Sequence, residues 1–501
     1  MANGWMRAAG AAWRLSQAAG DAAQSAVTNA ANNRVSRGAR SGVLGPWDAP
    51  PPPGTGIHGY WDYRGVARPS DITLGALDFP LGRYREPRRW TARDEIGISE
   101  RVANEHSLVL GPTRSGKTAS IIAPWIYHAL RLGYSVLAVD VKGRDDLIGE
   151  VKRYSTHRGS LGAPAIKWDY NDPARSVSWD WISALRSEAE INAAVEAICG
   201  QPNPADPNRF FHQVSMKYLR GLLQLAPTVQ GGLVLASIVR LLNDHRALSS
   251  LVAARPGHPG ADRLSELCPM SPGEFVKYTA ELKTHLETLD TPGFAHVTKT
   301  NNFSFDHLRG PAAVLMIVSA PTSDGELGRA AGTLFLGQFV QRALTGFGTH
   351  PRPTLLVLDE AARVQNRIDL GATLSLVAGA GVSVLLATQD VAQFGEKSRD
   401  EILANCGTMI CLPRVSPDTT GYFIRRIGEM PFTKRSSSTS TDPRTRSSRS
   451  WTSSTELASA IGHREISTPA PQLGPRPGFV HSPSLSPRPI IVDLTRQDLL
   501  P

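Results

Sequence analysis

Residues 111–118, GPTRSGKT, have the residue types and spacing of a phosphate-binding loop, and they follow the apolar run SLVL at 107–110. Glycines let successive backbone N–H groups curve around phosphate oxygens, and a helix that starts there adds the positive end of its dipole. In such a loop the lysine reaches the β and γ phosphates, and the final hydroxyl is offered to Mg²⁺. We therefore predict a site for ATP and Mg²⁺ formed by Gly111, Pro112, Thr113, Arg114, Ser115, Gly116, Lys117 and Thr118.

Two adjacent acidic residues, Asp359 and Glu360, end the apolar run TLLVLDEA at 354–361. A buried carboxylate without a partner is costly, so an acidic pair at the end of a buried strand indicates a cation or a water that needs it. We predict that Asp359, together with Thr118, holds the metal and that Glu360 polarises the attacking water. The alternative is a strand that simply emerges into solvent at ordinary acidic residues.

Gln389 follows a third apolar run, VSVLLATQD at 382–390. A neutral amide at the end of a strand can hydrogen-bond a γ-phosphate or the lytic water. We predict this sensor role for Gln389, which makes Lys117, Glu360 and Gln389 the catalytic set. Taken alone, a glutamine after a strand is more often an ordinary loop residue.

The elements that must position these residues alternate along the chain. Continuous apolar runs start near residues 107, 135, 313, 354, 382 and 408, and each is followed by a helical pattern. Strands this apolar are buried on both faces, which is typical of a parallel sheet covered by helices. The sequence therefore predicts a doubly wound α/β fold with a mainly parallel sheet.

The strand pattern fades between residues 181 and 300, where helical patterns such as 210–226 and 271–289 predict an inserted all-α domain. Composition sets the remaining boundaries. We predict an Ala-rich arm with a Pro-rich linker at 1–55, a nucleotide-binding domain at 56–180 and 301–433, the helical insertion at 181–300, a partly disordered Ser/Arg-rich loop at 434–475, and a C-terminal strand and tail at 476–501.

Composition constrains the environment and the partners. The 54 Lys and Arg against 45 Asp and Glu give a formal net charge of +9, which favours polyanions such as DNA, contacted along the backbone. The 4 cysteines lack metal-ligand spacing, and the 13 histidines show neither an H-E-x-x-H motif nor clustered ligand spacing, so we expect reduced thiols and solvated or core histidines. No apolar stretch approaches a membrane span, which predicts a cytoplasmic protein unless something tethers it. The Ala-rich arm is either flexible or a helix that contacts a membrane surface or a partner.

Five segments in order, GPTRSGKT, VLAVDVKGRDDL, LLVLDEAARV, LLATQDVAQFG and NCGTMICLPRVSPDTTGYFIRRIGE, resemble the VirD4/TraG group of type IV secretion coupling proteins. The resemblance spans roughly residues 57–430. It implies a RecA-like P-loop ATPase, usually a homo-hexamer, that passes a relaxase-bound DNA strand or a secreted effector into the secretion channel. It also implies cargo selection by the helical insertion, contact with channel proteins, and recruitment to the inner face of the cytoplasmic membrane.

The sequence departs from that family in three places. Two N-terminal membrane helices are typical of the family, whereas residues 1–55 predict an arm and a linker. The family's D-x-K-G-E stretch has Arg144 in place of the acid, so a role for Asp140 in tuning the site and an ordinary turn stay open. The region LVAGAGVS at 376–383 carries no basic residue to reach a neighbouring subunit's phosphates, which leaves Arg414, Arg425 and Arg426 as candidates.

Two rival interpretations remain at this point. One is a DNA-pumping ATPase of the FtsK/HerA kind that works independently of secretion. The other is a non-catalytic adaptor that binds nucleotide to set its shape, with the insertion gripping cargo. Stimulation of ATP hydrolysis by DNA separates a motor from an adaptor.

Overall fold

The computed structural model describes residues 79–86, 91–143, 145–201, 207–345, 352–365, 368–440, 448–473 and 475–494. The predicted arm and linker at 1–55 and the substituted Arg144 lie outside these residues. No helix in the described ranges is long and apolar enough to cross a bilayer.

Two sheets contain all the strands of the described residues. In chain order the strands are β1 (Phe79–Glu86), β2 (Thr91–Ile98), β3 (Ser107–Leu110), β4 (Ser135–Asp140), β5 (Ala165–Asp169), β6 (Leu315–Ser319), β7 (Thr354–Asp359), β8 (Val382–Thr388), β9 (Thr408–Cys411), β10 (Glu429–Ser440), β11 (Ser448–Ser459), β12 (Pro477–His481) and β13 (Ile490–Asp493). The 11-stranded sheet has the order β2-β1-β13-β12-β9-β3-β8-β7-β4-β6-β5, and β10 and β11 form a separate pair.

The strands from β9 to β5 in this order run parallel to one another. This confirms the predicted α/β class with a mainly parallel sheet. Four antiparallel strands, β12, β13, β1 and β2, extend the sheet beyond β9. We call these four strands the antiparallel flank. The sequence predicted only β13 among them, because the others mix apolar with polar or charged residues and lack a long apolar run. The short parallel strand β5 was missed for the same reason.

The helices of the described residues are α1 (Glu100–Ala103), α2 (Ala123–Arg131), α3 (Asp146–Arg158), α4 (Glu188–Cys199), α5 (Arg209–Leu225), α6 (Leu235–Asn243), α7 (His245–Ala253), α8 (Pro259–Leu264), α9 (Pro272–Leu289), α10 (Pro292–Val297), α11 (Glu326–Thr345), α12 (Ala362–Gln365), α13 (Leu370–Val377), α14 (Glu396–Asn405), α15 (Pro417–Ile427) and α16 (His463–Ser467). Each predicted strand of the parallel part is therefore followed by a helix, as the apolar pattern indicated.

Both faces of the parallel sheet are buried. On β7, Leu356 and Leu358 belong to one hydrophobic cluster, whereas Leu355 and Val357 belong to the cluster on the opposite face. Successive side chains of a strand point to opposite faces, so a strand covered on both sides must be apolar throughout. This packing fixes β7 and leaves only its carboxyl end for polar groups.

Helices α4 to α10 occupy the region predicted to be a helical insertion, and they share an aromatic core with the sheet. The Phe335 ring, on α11, lies 4.6 Å from the Trp179 ring, and the Trp168 ring, on β5, lies 5.5 Å from Phe335. Phe294, on α10, contacts Trp168 edge to face at 5.9 Å. The insertion is thus packed against β5 and α11 through rings that are themselves fully buried.

The Ser/Arg-rich segment differs from the prediction of a loop over 434–475. Most of its described residues lie in the strands β10 and β11, followed by α16. Its serines and threonines give the segment a low apolar content, but β-branched threonines favour an extended backbone. Residues 441–447 lie outside the described part of the chain.

Candidate active site

Three neighbouring parallel strands bring the predicted site residues to one edge of the sheet. β8 lies between β3 and β7, with Leu110 opposite Thr388 and Asp359 opposite Ala387. The phosphate loop leaves β3, Gln389 follows β8, and Asp359 is the last residue of β7. Because parallel strands end at the same edge, residues distant in sequence meet there.

The phosphate loop has the backbone shape that directs N–H groups into a concave turn. Arg114 has φ 63° and Gly116 has φ 91°, both left-handed, and the Ser115 N–H donates to the Pro112 carbonyl at 3.2 Å. Alternation of left- and right-handed residues points successive N–H groups the same way, which creates an anion-binding concavity. The loop runs into a π-helical turn, Thr118–Ile122, that continues as α2.

Lys117 is almost fully buried, with 5% of its surface exposed. Its ammonium donates to the carbonyl oxygens of Gly111 at 2.5 Å and Pro112 at 3.3 Å, and it lies 4.0 Å from Glu360 Oε1. Burial lowers the pKa of Lys117, and the carboxylates of Glu360 and Asp359 oppose that shift. The lysine is therefore a cation held inside the loop, next to the acidic pair.

Asp359 has the surroundings expected of a cation ligand. Thr118 Oγ1 donates to Asp359 Oδ2 at 3.4 Å, whereas Oδ1 is buried and has no hydrogen-bond partner among the described residues. A buried carboxylate oxygen without a donor is costly unless a cation or water supplies one. Carboxylate and hydroxyl oxygens are ligands that suit Mg²⁺, so Thr118 and Asp359 fit the metal that the sequence predicted.

Lys142 also contacts Asp359, and the sequence did not assign it a role. Its ammonium lies 2.7 Å from Asp359 Oδ2, the oxygen that faces Thr118. Burial opposes the charge on Lys142, but the neighbouring carboxylates, chiefly Asp359, raise its pKa overall. The sequence signal for Lys142 was its place in the family-like stretch at 140–144. Its contact with Asp359 joins residues 217 positions apart, and no local sequence pattern predicts such a contact.

Asp140, whose role was left open between site tuning and a turn, holds the turn that carries Lys142. Its Oδ1 accepts the N–H groups of Lys142 at 2.9 Å and Gly143 at 3.2 Å. Burial raises the pKa of Asp140, while these two N–H groups oppose the shift. Since Asp140 also lies opposite Asp359 in the β4–β7 register, the turn brings the Lys142 side chain back to the acidic strand.

Glu360 and Gln389 form a hydrogen-bonded chain that ends on the phosphate loop. Gln389 Nε2 donates to Glu360 Oε1 at 3.0 Å, and Thr113 Oγ1 donates to Gln389 Oε1 at 3.0 Å. Glu360 has φ 72° and is 7% exposed. A left-handed non-glycine residue costs about 1–3 kcal/mol and persists where the surroundings enforce it, often at functional sites.

A cavity of about 580 Å³ lies between the phosphate loop and the start of α3, within the range of ligand pockets. Among its lining residues are Pro112, Thr113, Arg114, Ser115, Gly116, Lys117, Thr118, Asp140, Lys142, Asp359, Glu360 and Gln389. Every predicted site residue except Gly111 therefore faces this cavity, and Gly111 accepts the hydrogen bond from Lys117 behind it.

The three candidate arginines after β9 differ in their contacts. Arg426 donates to the Cys406 carbonyl at 3.1 Å, and the Arg425 guanidinium lies 4.3 Å from the Tyr422 ring centre. Arg414 is exposed and has φ 65° at the end of β9. None of the three is among the residues that line the cavity.

Arg476 is a second residue that the sequence did not indicate. It precedes β12, and its Nη1 lies 3.3 Å from Ser120 Oγ at the start of the helix that follows the loop. A Cβ built on Gly116 would lie 3.4 Å from the same nitrogen, so the guanidinium packs against the loop glycine. This brings a cation from the C-terminal flank to the phosphate loop.

Comparison with known proteins supports the resemblance to type IV secretion coupling proteins. The family model described as "Type IV secretory system Conjugative DNA transfer" matches residues 82–252, and the one described as "TraM recognition site of TraD and TraG" matches residues 353–468. None of the curated proteins matches the chain.

Several solved structures share the fold. The bacterial conjugative coupling protein TrwBΔN70 in complex with sulphate is 16% identical with a TM-score of 0.60, covering 85% of this chain and 96% of that one. The plasmid coupling protein TrwB in complex with ADP and Mg²⁺ is 18% identical with a TM-score of 0.58, covering 80% and 87%. TrwB in complex with the ATP analogue ADPNP is 18% identical with a TM-score of 0.52, covering 81% and 90%. At these identities the likeness confirms the RecA-like P-loop fold.

Proposed function

The chain belongs to the VirD4/TraG-type coupling proteins of conjugative DNA transfer, and on that premise we propose that it hydrolyses ATP to drive DNA or a secreted protein into a type IV secretion channel. The observation that carries the proposal is the meeting of Lys117, Asp359 and Glu360 around one cavity at the end of three parallel strands. TrwB, which shares the fold, has been solved with ADP and Mg²⁺ and with ADPNP. These complexes support ATP as the substrate.

In this proposal the loop N–H groups of 111–118 bind the phosphates and Lys117 stabilises the charge on the transferred phosphoryl group. Thr118 and Asp359 would hold Mg²⁺, which would supply positive charge against the phosphates. The Lys142 ammonium lies 2.7 Å from Asp359 Oδ2 and already pairs with that oxygen. Asp359 Oδ1, which has no partner among the described residues, would remain for the metal while Lys142 keeps Oδ2.

Glu360 acts on the attacking water in the same proposal. Its Oε1 is held by Gln389, and Gln389 is held by Thr113 on the phosphate loop. Any shift of Thr113 on phosphate binding is transmitted to Gln389 and hence to the orientation of Glu360. We propose that this chain of hydrogen bonds positions the general base once phosphate is in place.

DNA and the relaxosome are the partners that the family supports, and DNA backbone contact suits a chain with a net charge of +9. We further propose a homo-hexameric ring recruited by channel proteins to the inner face of the cytoplasmic membrane. In such a ring Arg414, which is exposed after β9, is a candidate to reach a neighbouring subunit. The helical insertion would select the relaxase or effector cargo.

The test is ATP hydrolysis by the purified chain with and without single-stranded DNA. We expect measurable turnover that DNA stimulates, and a Lys117→Ala variant that abolishes it while the fold is retained. Turnover that Lys117→Ala leaves intact would assign the hydrolysis to a different site or a contaminant. Nucleotide binding without any turnover, with or without DNA, would favour the non-catalytic adaptor.

A further inference from the structure

A cluster of two histidines and one glutamate lies in the helical insertion, far from the phosphate loop in sequence. His212 is on α5, and Glu281 and His285 are one turn apart on α9. Each offers one ligand atom, and these atoms all lie within 4.8 Å of one another. The sequence predicted no clustered histidine ligands, because only the packing of α5 against α9 brings residue 212 to the other two.

The hydrogen bonds of His212 fix which of its ring nitrogens carries a proton. Nε2 lies 3.2 Å from the Gly200 carbonyl oxygen, which can only accept, so Nε2 is the N–H nitrogen. In the neutral ring, Nδ1 then presents a lone pair, and it lies 3.1 Å from Glu281 Oε1. A lone pair and a carboxylate oxygen repel each other unless a proton or a metal ion lies between them.

The same arrangement is the one that metal-binding histidines adopt. A ligating imidazole commonly donates its other N–H to a backbone carbonyl or a carboxylate, which fixes the tautomer and the ring orientation. The Gly200 carbonyl, at the C-terminal end of α4, provides that acceptor for His212. The contact therefore orients Nδ1 toward Glu281.

Two of the three distances between the ligand atoms are close to those around one small ion, and all three atoms lie within 4.8 Å of one another. Tetrahedral zinc bonds of roughly 2.0–2.2 Å to nitrogen and oxygen place neighbouring ligand atoms about 3.3 Å apart. Glu281 Oε1 lies 3.1 Å from His212 Nδ1 and 3.6 Å from His285 Nε2, values on either side of that spacing. The side chains are 15%, 30% and 25% exposed for His212, Glu281 and His285, so water can reach a fourth position.

We propose that His212, Glu281 and His285 bind a divalent transition metal, with Zn²⁺ as the ion that two imidazoles and a carboxylate favour. The metal would join α5 to α9 and, through the Gly200 carbonyl, hold both against the end of α4. It is a structural brace within the insertion and does not depend on nucleotide binding at the phosphate loop.

The experiment is calorimetric titration of the purified full-length chain with ZnCl₂ after EDTA treatment and dialysis. Excess Mg²⁺ is present throughout, because that hard cation occupies oxygen-only sites such as Asp359. We expect one equivalent of Zn²⁺ to bind, with an affinity that falls by about 100-fold or more in His285→Ala and His212→Ala. Zn²⁺ should also raise the Tm of the unsubstituted chain and leave that of His285→Ala unchanged.

His296→Ala is the matched control, because it removes an exposed histidine from α10 of the same insertion without touching the cluster. It should bind Zn²⁺ like the unsubstituted chain. Glu281→Gln, which keeps the size of the side chain but removes its charge, covers the case in which a histidine variant fails to fold. Absence of one-equivalent binding, or equal Zn²⁺ affinity in a folded ligand variant, would show that the histidine and glutamate share only a proton and would overturn the proposal.

Discussion

The two ends of the parallel strands both bury ionisable side chains, but they do so in different ways. At the carboxyl end, Lys117, Asp359 and Glu360 are each less than 10% exposed and face a cavity of about 580 Å³. At the amino end, His106 is 2% exposed, its Nε2 lies 2.8 Å from the Leu374 carbonyl, and its Nδ1 accepts the Val384 N–H at 3.1 Å. Burial alone therefore does not mark a site.

What separates His106 from Asp359 is whether protein groups satisfy the buried polar atoms of the side chain. His106 uses both ring nitrogens in its neutral form, and burial lowers its pKa. Asp359, in contrast, keeps one buried oxygen that has no partner in the described part of the chain, and the Lys117 ammonium donates to loop carbonyls that phosphate could replace. A satisfied polar group stabilises the fold, whereas an unsatisfied one beside a cavity indicates a ligand.

Glu360→Gln should show the largest effect, and it should act on turnover alone. The amide keeps the size of the side chain and can still bond to Gln389, but it cannot accept a proton from water. Loss of a general base typically slows the reaction by about 10²–10⁴-fold. We expect ATP hydrolysis to fall by that factor, with ATP binding retained.

Glu396→Gln is the control for this variant, because Glu396 is an exposed acid at the start of α14. Its turnover should equal that of the unsubstituted chain. If Glu360→Gln hydrolyses ATP at the normal rate, the general base is a different group. The buried carboxylate of Glu360 would then not mark the carboxyl end as a catalytic site.

His106→Leu should produce the opposite result, a loss of stability without a loss of turnover. The change leaves the Leu374 carbonyl and the Val384 N–H unpaired, and it places leucine at φ 59°. Unpaired buried groups cost about 1–3 kcal/mol each, so we expect the free energy of unfolding to fall by about 2–4 kcal/mol. Urea unfolding measures this loss. A large fall in the ATPase rate of the folded variant would mean that the amino end also serves the reaction.

The contrast also explains how much the sequence could predict. The phosphate loop, Asp359, Glu360 and Gln389 lie at the ends of apolar runs, so a local pattern was enough to predict where they meet. The contacts of Lys142 with Asp359 and of Arg476 with Ser120 join residues 217 and 356 positions apart. The sequence carries no local signal for such pairs.

The flank and the helical insertion were harder to predict for related reasons. β1 and β2 include charged residues and glycines, as in FPLGRYRE and TARDEIGI, so they do not stand out as strands. The helices of the insertion were visible from their periodicity, but which of them pack together was not. That is why the cluster of His212, Glu281 and His285 could be recognised only in three dimensions.

A decrease in pH should destabilise the amino end selectively. His481, at the end of β12 opposite Met409, is 6% exposed, and burial followed by the nearby Arg426 lowers its pKa to about 4. The unfolded chain therefore takes up the proton first, so this contribution to stability is complete above pH 6.5 and is lost as the pH falls toward 4. Each pH unit in that window costs up to about 1.4 kcal/mol.

Urea unfolding at pH 7 and pH 4.5 measures how much free energy of unfolding is lost on acidification. His481→Gln removes the contribution of His481 to that loss, because glutamine does not titrate. Between pH 7 and pH 4.5 we expect the free energy of unfolding to fall by about 2–3 kcal/mol less in the variant than in the unsubstituted chain. His296→Gln, at an exposed histidine, should behave like the unsubstituted chain. Identical acid sensitivity in His481→Gln would mean that His481 is not a neutral, buried group.

Arg476→Ala should give the smallest effect and shows how far the carboxyl-end site extends into the flank. The guanidinium packs against Gly116 and Ser120 but is exposed to solvent, where a single charge contributes up to about 1 kcal/mol. We expect ATP to bind about three- to fivefold more weakly, with the rate at saturating ATP and the stability unchanged. Arg464→Ala, an exposed arginine on α16, is the matched control and should bind ATP normally. Equal ATP affinity in both variants would mean that Arg476 serves packing alone and does not contribute to ATP binding.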